Sequence, residues 1–239
     1  MTASFENGQQ PAGQDGLNLT DLADRYGSDK GSRKHRYTEL YHMLFHPYRN
    51  GEFNFLEMGL LIGGPEHGAS PDRQTDDLPS VRMWLDYFTR AQVHGLDVSD
   101  FSWLKHERFT FHRCDMENRD QIAAAVARIS PPPRIVVDDA SHASHHQQNA
   151  FLEIFPRMAP GGLYVIEDLR WQPRSLERDG ITRTAALFRS WLDKREFRHS
   201  DPAIAAEFNA LSELISGCLV EPVRYQAGRR DQIAVIHKR

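Results

Sequence analysis

Two acid pairs stand directly after short apolar runs of the kind that a parallel sheet buries on both faces. The pairs are Asp138-Asp139, after residues 135–137, and Glu167-Asp168, after residues 163–166. Because the carboxyl ends of neighbouring strands open onto one crevice, these acids and His142 are predicted to converge on one pocket. Carboxylate oxygens suit a hard cation such as Mg²⁺ or Mn²⁺. The pattern therefore predicts an enzyme with a divalent ion held by Asp139, Glu167 and Asp168.

The same residues indicate a reaction at a hydroxyl group. A divalent ion lowers the pKa of a hydroxyl bound to it, and a histidine with a pKa of about 6.5 can then accept the proton. His142 is therefore the predicted general base. Two adjacent oxygens on the acceptor would chelate the ion, so we expect a small-molecule diol, on a sugar or as a catechol-like pair.

The turn after the first predicted strand favours a cofactor without phosphate. This turn contains an acid followed by two glycines, Glu57, Gly59 and Gly63. It lacks the G-x-G-x-x-G motif that binds a pyrophosphate. S-adenosylmethionine carries an ammonium, a sulfonium and a ribose diol. Asp97 ends the second strand and is predicted to accept hydrogen bonds from the ribose hydroxyls. Asp115 ends the third strand and is predicted to accept a hydrogen bond from the adenine amino group. Alternatively, these acids only cap helices.

Several segments also match a known family in their residues. They are Asp139-Ala140-Ser141-His142, with Glu167-Asp168 beginning 25 residues after the histidine, and residues 26–32, 35–38, 80–88 and 95–97. In these motifs the chain resembles the metal-dependent sugar O-methyltransferases of macrolide biosynthesis, the mycinamicin and macrocin type. The resemblance covers residues 22–169 and leaves residues 64–79 without a clear match.

The resemblance implies a set of roles. It implies S-adenosylmethionine and Mg²⁺ as cofactors, with Asp139, Glu167 and Asp168 as metal ligands and His142 as the base. It implies a glycoside acceptor, and a lid over the cofactor that includes Asp29, Lys30 and Tyr37, of which Tyr37 is expected to bind the cofactor. Alternatively, these three residues belong to a surface turn and a helix face. Asp138, which points to the opposite sheet face from Asp139, is expected on the cofactor side or as a capping residue and not as a metal ligand.

Strands alternating with helices predict an α/β fold, a doubly wound and mostly parallel seven-stranded sheet with an antiparallel C-terminal edge hairpin. Residues 1–16 are predicted to be a disordered tail, 17–50 a helical segment or lid, and 51–239 the cofactor-binding catalytic domain. Residues 35–48 are predicted to form one helix. Residues 63–79 have no apolar period and are expected to form a long mobile loop.

Composition excludes several classes of protein. The 239 residues carry 29 basic and 33 acidic side chains, a net charge of −4, which does not favour nucleic acid or an anionic membrane. Two cysteines, Cys114 and Cys218, match no metal or redox spacing, and we expect a cytoplasmic protein. We also expect a homo-oligomer.

Two other functions remain open from the sequence. One is a metal-dependent hydrolase that uses Asp139, Glu167 and Asp168 and needs no adenosine pocket. The other is a non-catalytic relative that keeps the cofactor fold. A zinc cluster of His142 with His145 and His146 is not favoured, because the latter two are expected to be exposed on the helix that Ser144 opens.

Overall fold

The computed structural model describes residues 16–224 and 230–239. The tail predicted for residues 1–16 therefore lies, apart from Gly16, outside the described residues. Seven strands form one sheet in the order β3-β2-β1-β4-β5-β7-β6. The strands are β1 (Asn54–Met58), β2 (Gln92–Asp97), β3 (Phe109–Arg113), β4 (Pro133–Asp138), β5 (Leu163–Ile166), β6 (Ile215–Arg224) and β7 (Arg230–Lys238).

The sheet has the predicted topology. Strands β1 to β5 are parallel, whereas β7 pairs antiparallel with both β5 and β6. The chain winds outward in one direction through β1, β2 and β3 and in the other through β4 and β5, so β1 and β4 flank the point where the strand order reverses. Ligands bind at such a switch point, outside the carboxyl ends of the strands.

Seven helices cover the two faces of the sheet in the described residues. They are α1 (Leu19–Tyr26), α2 (Tyr37–Phe45), α3 (Pro79–Tyr87), α4 (Arg119–Val126), α5 (Ser144–Ile154), α6 (Thr184–Lys194) and α7 (Pro202–Ala210). Phe55 and Ile135 pack on the face covered by α1 to α3, and Leu56 and Val136 on the face covered by α4 to α7. Neighbouring strand residues thus alternate between two cores, as the pleat requires.

The helix predicted over residues 35–48 is shorter in the structure. Helix α2 ends at Phe45, and a 3₁₀ turn, His46–Tyr48, follows. Pro47 explains the break, because proline has no backbone N–H to donate to the preceding turn and its ring clashes with the carbonyl four residues earlier.

The N-terminal helices bring a loop over the strand ends. An Asn18/Asp21 capping box opens α1, and Gly27, with φ 74°, closes it in the left-handed conformation. Helix α1 packs on α3, and the rings of Tyr41 and Trp84 lie 6.0 Å apart between α2 and α3. The loop between α1 and α2 is thereby held above the sheet edge. No helix within the described ranges combines the length and apolar character that a bilayer crossing needs.

Candidate active site

The carboxyl ends of β4 and β5 bring together three residues that the sequence analysis singled out. Oxygen and nitrogen atoms of Asp139, His142 and Asp168 lie within 4.8 Å of one another. His142 Nε2 is 3.9 Å from Asp139 Oδ1 and 3.6 Å from Asp168 Oδ2. The two strands pair in parallel, with Asp138 opposite Ile166, so the residues after them emerge side by side.

Two of these residues have an uncommon backbone conformation. His142 has φ 61° and Asp168 has φ 53°, two of the four non-glycine residues with positive φ in the described ranges. Residues other than glycine avoid this region, and those found in it cluster at functional sites. The backbone therefore holds both side chains at the crevice at some cost in conformational energy.

Lys30 occupies the centre of the acidic group. Its ammonium lies 3.0 Å from both carboxylate oxygens of Glu167, 3.7 Å from Glu57 Oε1, and in contact with Asp139 Oδ2. The side chain is 1% exposed. Burial alone would lower the pKa of Lys30, but the surrounding carboxylates outweigh it and raise that pKa well above its usual value. Lys30 is therefore a buried, charged ammonium.

The sequence predicts Lys30 in a lid and gives no indication of this contact. A signal was present in the charge balance, because several acids were predicted at strand ends with a metal ion but no basic side chain among them. Lys30 itself lies in a glycine-flanked loop without hydrophobic period, so its position depends on the packing of α1 and α2.

Carboxylates still outnumber cations at this site. Burial, and then the neighbouring Asp139 carboxylate, raise the pKa of Glu167 well above its usual value. Burial, and then the neighbouring Asp231, likewise raise the pKa of Asp168 well above its usual value. Burial raises the pKa of Glu57 to about 7 despite Lys30. This surplus of acidic side chains over cations, with hard oxygen donors on two strand ends, fits a divalent cation, which would favour the ionised carboxylates.

Two tyrosines of α2 orient the second acid pair. Tyr37 Oη donates to Asp168 Oδ1 at 2.8 Å, and Tyr41 Oη donates to Glu167 Oε1 at 2.5 Å. The Asp168 amide in turn donates to Tyr37 Oη at 3.2 Å. Tyr37, predicted to bind the cofactor, is in this structure a fully buried support for Asp168.

The ends of β1, β2 and β3 form the other part of the crevice. Gly59 has φ 77°, and a Cβ there would lie 2.0 Å from the Asp139 carbonyl oxygen, so only glycine lets the turn after β1 approach the end of β4. Asp97 accepts the Leu60 and Ser99 amides, each at 2.8 Å. Asp115 follows β3 and accepts the Glu117 amide at 2.9 Å.

The segment over residues 64–79 reaches this part of the crevice through Arg73. Its guanidinium donates to Ser99 Oγ at 2.8 Å, contacts the Leu61 carbonyl oxygen, and lies 3.3 Å from Asp97 Oδ1. Arg73 could not be predicted at this position, because its segment lacks a hydrophobic period and has no clear match in the family.

A single cavity of about 880 Å³ joins the two parts of the crevice. Its walls include the predicted residues Gly59, Asp97, Asp115, Asp139, His142 and Asp168, together with Lys30 and Asp231. Glu57 and Asp138, both predicted to bind the cofactor, are buried behind this wall. Glu57 accepts the Ser80 hydroxyl at 2.8 Å, and Asp138 lies 3.4 Å from Tyr164 Oη.

The expectation that His145 and His146 are exposed is wrong. Both are buried, with 6% and 8% exposure, and both Nε2 atoms face Glu117 Oε2, at 2.7 and 2.9 Å. The first turn of α5 faces the loop after β3, which covers these rings. His146 also contacts Ser141 Oγ at 2.6 Å, so it supports the loop that carries His142.

Comparison with known proteins gives a consistent group of relatives. The chain is 37% identical over 180 residues to the 8-demethyl-8-alpha-L-rhamnosyl tetracenomycin-C 2'-O-methyltransferase of Streptomyces olivaceus, covering 74% of this chain and 45% of that protein. It is 38% identical over 154 residues to the demethylmacrocin O-methyltransferase of Streptomyces fradiae, covering 63% of this chain and 36% of that protein. No protein-family model matches.

The structural comparison agrees. MycE methyltransferase from the mycinamycin biosynthetic pathway, in complex with Mg, SAH and mycinamycin VI, superposes with a TM-score of 0.71 at 28% identity. The match covers 93% of this chain and 54% of MycE. The chain thus spans about half the length of its relatives or less. It has the class I S-adenosylmethionine-dependent methyltransferase fold and is related in sequence and fold to the macrolide sugar O-methyltransferases.

Proposed function

We propose that this protein is an S-adenosylmethionine-dependent and divalent-metal-dependent O-methyltransferase that acts on a hydroxyl of a glycosylated small molecule or a similar diol. The observation that carries the proposal is one cavity that joins Asp139, His142 and Asp168 to the ends of β1, β2 and β3. The metal-dependent hydrolase does not account for the second half of this cavity, where Gly59, Asp97 and Asp115 lie.

The cofactor would be held at Gly59, Asp97 and Asp115. Asp97 is 5% exposed; its Oδ2 accepts the Leu60 amide and keeps a further lone pair, whereas its Oδ1 accepts both the Ser99 amide and the Arg73 guanidinium. Ribose hydroxyls are donors that such a fixed carboxylate can bind. Glu57 and Asp138 lie behind the wall, so they act on the cofactor through the backbone and side chains that they position.

Asp139 and Asp168 would hold the metal, with Glu167 as a third donor. The Mg in the MycE complex supports this assignment, as does the surplus of buried carboxylates. When bound, a divalent ion would stabilise negative charge on the acceptor oxygen and lower the pKa of its hydroxyl. Lys30 supplies a second positive charge next to Glu167, so the two cations would share one acidic cluster.

His142 would accept the proton from the acceptor hydroxyl. Burial lowers the pKa of His142 more than the Asp139 carboxylate raises it, so the ring is neutral at neutral pH and able to take a proton. Its Nε2 lies between Asp139 Oδ1 and Asp168 Oδ2. Both carboxylates would then stabilise the imidazolium, and the left-handed backbone at His142 fixes the direction of the ring.

The test is a turnover screen read by mass spectrometry. The protein is incubated with S-adenosylmethionine, Mg²⁺ and a panel of glycosides and catechols, and the acceptors are examined for the gain of one methyl group. We expect methylated product from at least one glycoside, together with S-adenosylhomocysteine in equal amount. Cleavage of an acceptor without S-adenosylmethionine would indicate the hydrolase instead, and cofactor binding without turnover on any acceptor would indicate the binding relative.

The acceptor class, the assembly and the cellular location are also proposals. Glycoside acceptors are those of the named relatives, and this supports the acceptor class proposed here. We also propose a cytoplasmic homo-oligomer with no nucleic-acid or membrane partner; the net charge of −4 supports the last part. Light scattering of the purified protein gives the oligomeric state.

A further inference from the structure

Exposed apolar side chains are concentrated at the cavity mouth. Three large hydrophobic side chains are exposed in the described residues: Met43 at 76%, Ile62 at 62% and Trp171 at 39%. Ile62 and Trp171 both line the cavity, whereas Met43 lies on α2 away from it. A large exposed aromatic ring at the rim of a polar site is typical of a ligand-binding surface.

Trp171 is tied to the residues proposed for catalysis. Its amide donates to the Asp168 carbonyl oxygen at 3.0 Å, so a tight turn fixes the indole three residues after that acid. The indole and the His142 ring meet edge to face, with centroids 5.3 Å apart and an interplanar angle of 71°. A molecule that packs against the indole would therefore lie close to His142.

A second ring beside the indole comes from the segment without a family match. The His67 ring stacks on Trp171 with centroids 5.3 Å apart and an interplanar angle of 28°. His67 ends the 3₁₀ turn Pro65–His67, which also lines the cavity. The indole is thereby held in place by His67, with Ile62 on the same rim.

The chemistry of this rim matches one class of molecule. A pyranose ring has a face of C–H bonds and an edge of hydroxyls, so it can pack on an indole while its hydroxyls reach carboxylates and imidazole. A free sugar is polar and has no group that would cover the Ile62 side chain. A sugar linked to an apolar ring system has such a group, since the ring system itself can pack on Ile62. A catechol could stack on Trp171 as well, yet it would leave Ile62 exposed.

We propose that Trp171 is the platform for the acceptor sugar and that Ile62 receives the apolar group linked to that sugar. This inference rests on the proposed methyltransferase function and deepens it. It makes Trp171 and Ile62 specificity-determining residues: Trp171 selects the sugar ring that carries the reactive hydroxyl, and Ile62 selects glycosides of apolar aglycones over short alkyl glycosides.

The test uses Trp171→Ala, Trp171→Phe and Ile62→Ser, with Met43→Ala as the matched control for an exposed apolar side chain outside the cavity. We expect Trp171→Ala to raise the acceptor KM about tenfold or more, with unchanged affinity for S-adenosylmethionine. Trp171→Phe keeps an aromatic face and should recover most of this loss. Ile62→Ser should raise KM for a glycoside of an apolar aglycone several-fold more than for the methyl glycoside of the same sugar.

A binding measurement separates the two proposals. Trp84 and Trp191 are buried and Trp103 is half-buried, so the acrylamide quenching that Trp171→Phe removes measures Trp171 itself. A saturating glycoside should reduce the quenching in the wild type and leave that of Trp171→Phe nearly unchanged. Methyl transfer with a wild-type KM in Trp171→Ala, for every acceptor, overturns the platform and leaves the function standing. Protection of Trp171 without methyl transfer supports the platform and counts against the function. If no glycoside binds at all, the platform is wrong, and if no other diol is methylated either, the function is wrong as well.

Discussion

The Lys30 ammonium lies 3.0 Å from each carboxylate oxygen of Glu167, a residue 137 positions further along the chain, and both side chains are buried. This pair joins the loop after α1 to the end of β5. Because Asp139 contacts the same ammonium, Lys30 neutralises part of the acidic cluster in the protein without metal.

Lys30→Met should therefore destabilise the metal-free protein and increase its affinity for divalent ions. Removing one partner of a buried ion pair costs about 3–5 kcal/mol in the free energy of unfolding. Loss of the ammonium also removes a charge that repels Mg²⁺, so Mg²⁺ should raise the Tm of Lys30→Met more than that of the wild type. Denaturant unfolding and calorimetric Mg²⁺ titration measure the two effects.

The control for this variant is Lys34→Met, since Lys34 pairs with Asp29 at 3.0 Å nearer the surface. It should cost about 1 kcal/mol or less. A Lys30→Met protein with wild-type stability and unchanged Mg²⁺ affinity would show that Lys30 does not share the acidic cluster with a metal.

Metal removal should abolish turnover while cofactor binding survives. Excess EDTA should stop methyl transfer, and Mg²⁺ or Mn²⁺ should restore it. Asp139→Asn should weaken Mg²⁺ binding, whereas Asp100→Asn, at an exposed position outside the cavity, should not. Calorimetry with S-adenosylmethionine in EDTA provides the comparison. Full activity in excess EDTA would remove the metal from the mechanism.

Asp97→Ala should weaken S-adenosylmethionine binding by about 1–3 kcal/mol, because ribose hydroxyls lose a charged acceptor. Asp97→Ala also removes the acceptor of the Leu60 and Ser99 amides, and the resulting disorder of these loops should weaken cofactor binding further. Asp97→Asn keeps one acceptor oxygen, so its affinity for S-adenosylmethionine should lie between those of Asp97→Ala and the wild type. Asp100→Ala is the matched control. Calorimetry is the measurement, and equal affinity in Asp97→Ala would place the ribose elsewhere.

The convergence of Asp139, His142 and Asp168 could be predicted because it depends on topology. Parallel strands end at one edge of a sheet, and two apolar runs followed by acids are visible in the sequence. The order of β4 and β5 also follows from strands that alternate with helices, since right-handed crossovers leave few arrangements. The structure confirms the predicted fold.

Lys30, Arg73 and Asp231 could not be placed in the same way. Lys30 and Arg73 lie in loops whose residues have no period, and Asp231 reaches the cavity only because β7 inserts beside β5. The predicted exposure of His145 was wrong for a related reason. Its exposure depends on the loop after β3, which packs over the first turn of α5, and a helical pattern alone does not show what covers a helix end.

Histidine burial on β2 predicts a loss of stability in mild acid. Burial, and then the His112 ring 3.3 Å away, lower the pKa of His94 to about 4. The unfolded chain therefore binds a proton below about pH 6.5, whereas the folded chain does not until about pH 4. This contribution to stability is complete above pH 6.5 and declines as the pH falls, by about 2 kcal/mol after solvent screening.

Urea unfolding at a series of pH values between about 4 and 7 measures this effect. His94→Gln keeps a donor for Asn54 Oδ1 and removes the titrating ring, so its free energy of unfolding should fall less steeply with acid. His46→Gln, at an exposed ring, is the control. Equal slopes in the wild type and His94→Gln would contradict the assignment.

His142→Ala should lower kcat about 10²- to 10⁴-fold, because the proton of the acceptor hydroxyl loses its acceptor. Affinity for S-adenosylmethionine should stay nearly unchanged, since the proton moves only during the reaction. His142→Gln fills the same space without accepting a proton and should be as slow. His142 Nδ1 has no hydrogen-bond partner among the described residues, so neither variant leaves a partner unsatisfied there.

A supporting role for His142 predicts a different result. If the ring only braces Asp139 and Asp168, the variants should bind Mg²⁺ more weakly and regain a near-normal kcat when the ion is saturating. His146→Gln is the comparison, because His146 contacts the same loop through Ser141 but faces Glu117. It should affect stability more than kcat. Recovery of His142→Ala at saturating Mg²⁺ would therefore reject His142 as the base.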